Sequence, residues 1–119
     1  MVRGSVHGER QNVSLRTSGR LLDAGVPTSL RSGYEGYVPK TRVVLFVASP
    51  GLGYGLSAEQ ALELVTTGPA RILGIDGRVG FLEVGKDGDV ALFDGDPVEY
   101  TSHATGVVIE GEMVSETVR

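Results

Sequence analysis

Apolar and polar positions change rhythm part-way along the chain. Residues 1–14 are mostly polar and carry no period, which predicts an N-terminal arm. Helical spacing begins with Arg20, Leu21, Leu22 and Ala24. Thr17 or Ser18 is placed to cap that helix, Gly25 to end it in a left-handed conformation, and Pro27 to bar its continuation. Thr28 to Ser32 predicts a short strand, and Gly33-Tyr34-Glu35-Gly36 a turn. Pro39 suits the first position of a helix reaching about Ser49, because its missing N–H would have no partner there. The run Val43-Val44-Leu45-Phe46-Val47 is β-branched enough for a buried strand, and so short a run carries no decisive period. The helix is preferred, with Pro50-Gly51-Leu52-Gly53-Tyr54-Gly55 breaking it.

The clearest element follows. Ser57 and Gln60 have the spacing of a capping box, in which each side chain satisfies an orphan amide of the first helical turn. Ala61, Leu62, Leu64 and Val65 then form an apolar face, Gly68-Pro69 interrupts it, and Ala70 to Leu73 predicts a last helical turn ended by Gly74. Beyond Gly74 the pattern becomes extended. Phe81 to Val84, Val90 to Phe93 and Gly106 to Ile109 predict strands, and Glu110-Gly111 a hairpin turn into Met113-Val114-Ser115. The expected organisation is an arm over 1–14 and one domain over 15–119, helical to about 74 and β-rich after about 75.

Composition narrows the function classes. With 119 residues there is room for one small domain. A net charge of −4 with no basic run gives no nucleic-acid stripe and no surface for anionic membranes. The chain has no cysteine, which excludes disulfides and thiolate metal sites. No signal-peptide core stands at Met1 to His7, and the longest apolar run, Val43 to Ala48, is far shorter than a membrane span, so a cytoplasmic protein is expected.

The stretch from Leu56 onward resembles the C-terminal signature of the amidohydrolase superfamily, in the branch of imidazolonepropionase-like enzymes and related cyclic-amide hydrolases. The resemblance rests on Leu56-Ser57-Ala58-Glu59-Gln60-Ala61-Leu62, Gly68-Pro69-Ala70-Arg71-Ile72-Leu73-Gly74, Arg78-Val79-Gly80, Leu82 to Asp89 and Asp94-Gly95-Asp96-Pro97 in that order and spacing. Upstream, Leu21 to Pro27 resembles the helix before the family's eighth barrel strand, and Thr28 to Ser32 that strand. The match departs at Val47 to Tyr54, where Pro50 interrupts a helix that relatives continue. The resemblance implies an α/β or α+β fold. It would comprise the C-terminal helices and strand of a partial (β/α)8 barrel, followed by a small sheet from the family's β-sandwich. It implies a truncated, fragment-like protein whose open apolar faces would be covered by homo-oligomerisation, with Val43 to Val47 and Val107 to Ile109 as interface segments.

In function, the resemblance implies a hydrolase acting on carbon–nitrogen bonds other than peptide bonds, using water activated by zinc or a similar divalent metal. The family's ligands include a His-x-His pair and an aspartate ending the eighth strand. This chain has no His-x-His, only His7 and His103, and carries Gly33 where that aspartate would follow Ser32. Alternative ligands would have to come from His7, His103, Glu35, Asp94 and Asp96, of which only Asp94 and Asp96 lie near one another in sequence. Asp94 and Asp96 otherwise read as turn residues, and His103 as a polar loop residue. Lys86 and Asp87 are expected in solvent. Ser32 has no local base, and Gly51 to Gly55 lacks the strand and lysine of a phosphate loop. The expectation is therefore no catalytic, cofactor-binding or metal-binding residue and no cofactor. Activity would be impaired, and the alternative is a self-assembling or partner-binding module. Expected partners are further copies of the chain or a fuller amidohydrolase, with no nucleic acid and no membrane.

Overall fold

A computed structural model of the chain describes residues 14, 16–32, 34–35, 38–39 and 43–117, excepting the side chains of 34–35 and 38–39. The elements are α1 (Thr17–Asp23), β1 (Tyr34–Glu35), β2 (Val38–Pro39), α2 (Val44–Ala48) leading into a 3-10 helix (Ser49–Tyr54), α3 (Ala58–Glu63), α4 (Thr67–Leu73), β3 (Val90–Phe93), β4 (Ala104–Ile109) and β5 (Glu112–Glu116). The expected mixed α and β composition is present, with a small antiparallel sheet in the order β3-β4-β5 and a separate pairing of β1 with β2.

Local chemistry explains the helix ends. Helix α1 starts one or two residues earlier than expected: Arg16 is the N-cap and makes no side-chain cap bond. Thr17 and Ser18 are therefore not caps; instead the Thr17 N–H donates to the Ser14 carbonyl, and the Arg16 N–H to Ser14 Oγ. At the other end Gly25 takes φ 71°. Its N–H donates to the Leu22 carbonyl while Val26 N–H reaches Leu21, a Schellman pair that closes the helix and needs a residue without Cβ strain. In α3 the capping box forms as expected. Ser57 Oγ accepts from Gln60 N–H at 3.1 Å, and Gln60 Oε1 accepts from Ser57 N–H at 3.0 Å. Replacing Ser57 by Ala is expected to lower unfolding stability by about 1 kcal/mol, with Ser57→Asp retaining most of it; urea denaturation followed by circular dichroism measures this. A Ser57→Ala chain as stable as the parent would show the cap to be irrelevant.

Several expectations are corrected by tertiary context. Thr28 to Ser32 is not a strand; Leu30 N–H donates to the Leu64 carbonyl at the end of α3, so this stretch is pinned to a helix end rather than to a sheet neighbour. Tyr34 and Glu35 are strand residues, paired as Tyr34↔Pro39 and Glu35↔Val38, so Pro39 does not begin a helix. A two-residue pairing tolerates proline because it demands few ladder donors. The helical choice for the following apolar run holds over Val44–Ala48, and the backbone passes through Pro50 by tightening into the 3-10 turn. Gly68 and Pro69 do not interrupt a helix. They lie in the first turn of α4, where a missing N–H costs nothing, and the break falls at Leu64 to Thr66.

Phe81 to Val84 is not a strand either. It lies between Gly80 and Gly85, both at φ 92°, and Leu82 and Val84 are exposed. The loop is held by its side chains instead. Lys86 and Asp87, expected in solvent, are only 18% and 29% exposed. Lys86 Nζ donates to the Asp76 carbonyl at 2.6 Å, and Arg78 Nη2 donates to Asp87 Oδ2 at 2.7 Å. Arg71 and Lys86 each place their cationic group 5.2 Å from the centre of the Phe81 ring, so one aromatic side chain organises two cations.

The sheet halves meet as the pattern required. Glu110 and Gly111, at φ 53° and 83°, make the two-residue turn between β4 and β5. Glu110 N–H is accepted by Asp89 Oδ1, and Gly111 N–H by the Gly88 carbonyl. The buried cluster is Ala48, Leu56, Ala61, Leu64 and Val98, with Leu22, Leu30, Leu45, Leu52 and Leu62 packed against it. Val98, from the β3–β4 connection, brings the sheet to this helical core. Its carbonyl accepts the Ser49 hydroxyl at 2.7 Å, and Tyr100 meets Phe46 edge-on at 6.5 Å between ring centres.

Candidate functional site

The concave features lie where helices and sheet leave a gap. One groove of about 640 Å³ runs between α2, α3, the segment Val79 to Leu82 and strand β3. Its apolar walls include Leu45, Leu62, Val65, Phe81, Val90 and Phe93. The two carboxylates at its margin already have structural tasks: Asp87 pairs with Arg78, and Asp89 holds the β4–β5 turn. The groove is therefore of a size that ligands occupy, but its chemistry is mainly apolar. A second groove, about 780 Å³, lies between α1, Pro27-Thr28 and α4. Its charged pair is Arg71 and Glu63, joined at 3.1 Å.

The polar residues singled out in the sequence meet only in part. Phe93 pairs with Ala104, so the next residues out, Asp94 and His103, stand opposite each other. Asp94 N–H donates to the His103 carbonyl, Asp94 Oδ1 accepts from His103 N–H at 2.7 Å, and Asp94 Oδ2 lies 3.8 Å from His103 Nδ1. His103 is thus more than an isolated loop residue, and only the hairpin register could have revealed the pairing. Asp96 turns away from this pair and accepts Val98 N–H at 3.0 Å. Ser32 is described, half-buried. His7 and Gly33, and the Glu35 side chain, fall outside the described residues. Among the described residues no group of three His, Cys, Asp or Glu side chains comes together as a metal site would require. Also among them, no helix is long and apolar enough to cross a membrane.

The profile of the Amidohydrolase family matches residues 5–115, nearly the whole chain. The chain belongs to the amidohydrolase family. Among curated amidohydrolase relatives, it is 35% identical over 89 residues to an imidazolonepropionase of Syntrophobacter fumaroxidans, covering 74% of this chain and 21% of that protein. It is 34% identical over 105 residues to a 5-methylthioadenosine/S-adenosylhomocysteine deaminase of Desulforudis audaxviator, covering 76% and 24% respectively. An amidohydrolase structure from Thermotoga maritima MSB8 superposes with a TM-score of 0.81 at 29% identity, covering 94% of this chain and 29% of that one. The chain spans between 7% and 25% of the length of the curated relatives it matches. Asp94 and His103 bring two side chains together, where a catalytic zinc takes three protein ligands.

Proposed function

We propose that this chain is a scaffold portion of a hydrolase acting on carbon–nitrogen bonds other than peptide bonds, without a water-activating centre of its own. The observation carrying this reading is that the recognisable amidohydrolase residues hold the fold. Ser57 and Gln60 cap α3, Gly68 and Pro69 shape the start of α4, and Arg78, Lys86 and Asp87 fasten the loop before the sheet. The available donors, Asp94, Asp96 and His103, are used in the β3–β4 connection. The absence of a resident metal cofactor and a cytoplasmic location belong to the same proposal, the latter supported by a cysteine-free sequence.

Uncovered apolar surface favours a second reading, a non-catalytic module that assembles with itself or with a fuller amidohydrolase, with neither nucleic acid nor membrane as partner. Phe46 and Val47 on α2 are 58% and 37% exposed and remain available to such contacts. Val107 to Ile109 offers only its faces, because β4 is the central strand.

Metal analysis of the purified chain, with hydrolysis assays on a cyclic amide and on an aminopurine nucleoside in added zinc, separates these readings from an intact enzyme. The expected result is no stoichiometric zinc and no hydrolysis above the protein-free rate. One zinc per chain, with turnover abolished by a chelator, would overturn the proposal.

A further inference from the structure

The sheet carries an imbalance of charge beside an open strand edge. From Asp87 to Glu116 the sequence places eight of the chain's fifteen carboxylates and none of its eleven Lys and Arg residues. Within that stretch β3 is an edge strand, paired on one side with β4. Val90 and Ala91, which alternate to opposite faces, both line the 640 Å³ groove, so the groove runs along the strand rather than under one face. The segment Val79 to Leu82 forms the far wall without pairing to β3. Strand β3 itself, Val90-Ala91-Leu92-Phe93, is wholly apolar and has Asp89 immediately before it and Asp94 immediately after it.

We infer that the β3 edge and its groove accept an added polypeptide strand with alternating apolar side chains and Lys or Arg at both ends. The backbone edge supplies a ladder, the apolar groove takes alternate side chains, and the cation-free run of eight carboxylates from Asp87 to Glu116, more than Asp89 and Asp94 themselves, favours basic termini. Charge disfavours a second copy of the sheet in this position, because strand-on-strand self-pairing would bring acidic stretches together. Strand β5 has acidic ends as well, Glu112 and Glu116, but all five of its residues are exposed and it lines neither groove, so it offers the apolar side chains of an added strand no seat. The inference is independent of whether the chain hydrolyses anything.

The test uses the full chain and two synthetic nonapeptides sharing the core Val-Thr-Val-Thr-Val, one flanked by paired Lys and the other by paired Glu. Calorimetry at low salt is expected to show saturable binding of the Lys-flanked peptide. The Glu-flanked peptide should bind at least about tenfold more weakly, and added salt should narrow the difference. Hydrogen exchange on the unmodified chain should show protection gained at Val90 to Phe93. Ala91→Lys should weaken binding about tenfold, while Val114→Lys on β5 should leave it unchanged, with circular dichroism confirming that both fold. Equal affinity for the two peptides, no binding of either, or protection gained along Glu112 to Glu116 instead would overturn the inference. So would binding of a small apolar dye in the groove that the Lys-flanked peptide fails to displace.

Discussion

Replacing Leu64 by Ala is expected to destabilise the chain by about 3 kcal/mol and to abolish its cooperative unfolding at physiological temperature. Leu64 is 0% exposed and, among the described residues, is the largest side chain that is completely buried. It sits among Ala48, Leu56, Ala61 and Val98, so the position gathers helices and the β3–β4 connection around one side chain. Truncation removes transfer energy and leaves a cavity whose neighbours are mainly alanines and short aliphatics, with little reach to refill it. A domain has about 5–15 kcal/mol of net stability, so a loss of this size takes a large share. Its own carbonyl also holds Leu30 N–H, so loosening the end of α3 should free the Thr28 to Ser32 stretch as well. The comparison is Leu82→Ala at a position 82% exposed, expected within about 0.5 kcal/mol of the parent. Urea unfolding followed by circular dichroism decides it: similar midpoints for the two variants would mean that Leu64 is not the centre of this core.

What could be read from sequence divides along the range of the interactions concerned. Ser57–Gln60, Gly25 and Glu110–Gly111 are solved within a few residues, so the capping box, the helix stop and the tight turn were all legible. The apolar runs at 90–93 and 106–109 were legible as strands too, and the two-residue turn pairs the latter with 112–116, whereas the pairing of 90–93 with 104–109 spans a ten-residue connection that no local motif sets. Phe81 to Val84 has strand composition as well, but its conformation answers to Arg71 and Lys86, which meet Phe81 only after the loop has folded back. Pro39 fits a helix start and an edge pairing equally, and its partner Tyr34 decided between them. Thr28 to Ser32 has the composition of a strand and is held by a helix-end carbonyl instead. The candidate site follows the same rule. Asp94 and His103 were visible separately, while their juxtaposition depends on the register Phe93↔Ala104. The groove along β3 depends on four segments that share no local motif.

The second large effect is expected at Gly68, where backbone rather than side chain sets the limit. A Cβ added there would stand 2.6 Å from the Thr28 carbonyl oxygen and 2.8 Å from that of Glu63. Both obstacles are main chain, so no rotamer change can relieve the contact. Either α4 must shift or the 28–32 stretch must leave its place on the end of α3. Gly68→Ala is therefore expected to cost about 2 kcal/mol net, the overpacking penalty exceeding the gain in helix propensity that alanine brings. For a chain of this size that corresponds to a melting temperature lower by about 10 °C. Gly77→Ala is the matched control, because nothing lies within 4 Å of its added Cβ. Exchange of the Leu30 amide distinguishes the two structural responses. Its bond to Leu64 should be lost in Gly68→Ala if the 28–32 stretch yields, and retained if α4 moves instead. Equal melting temperatures for the Gly68 and Gly77 variants, with Leu30 still protected, would remove this close approach from the forces that hold α4 against the Thr28 backbone.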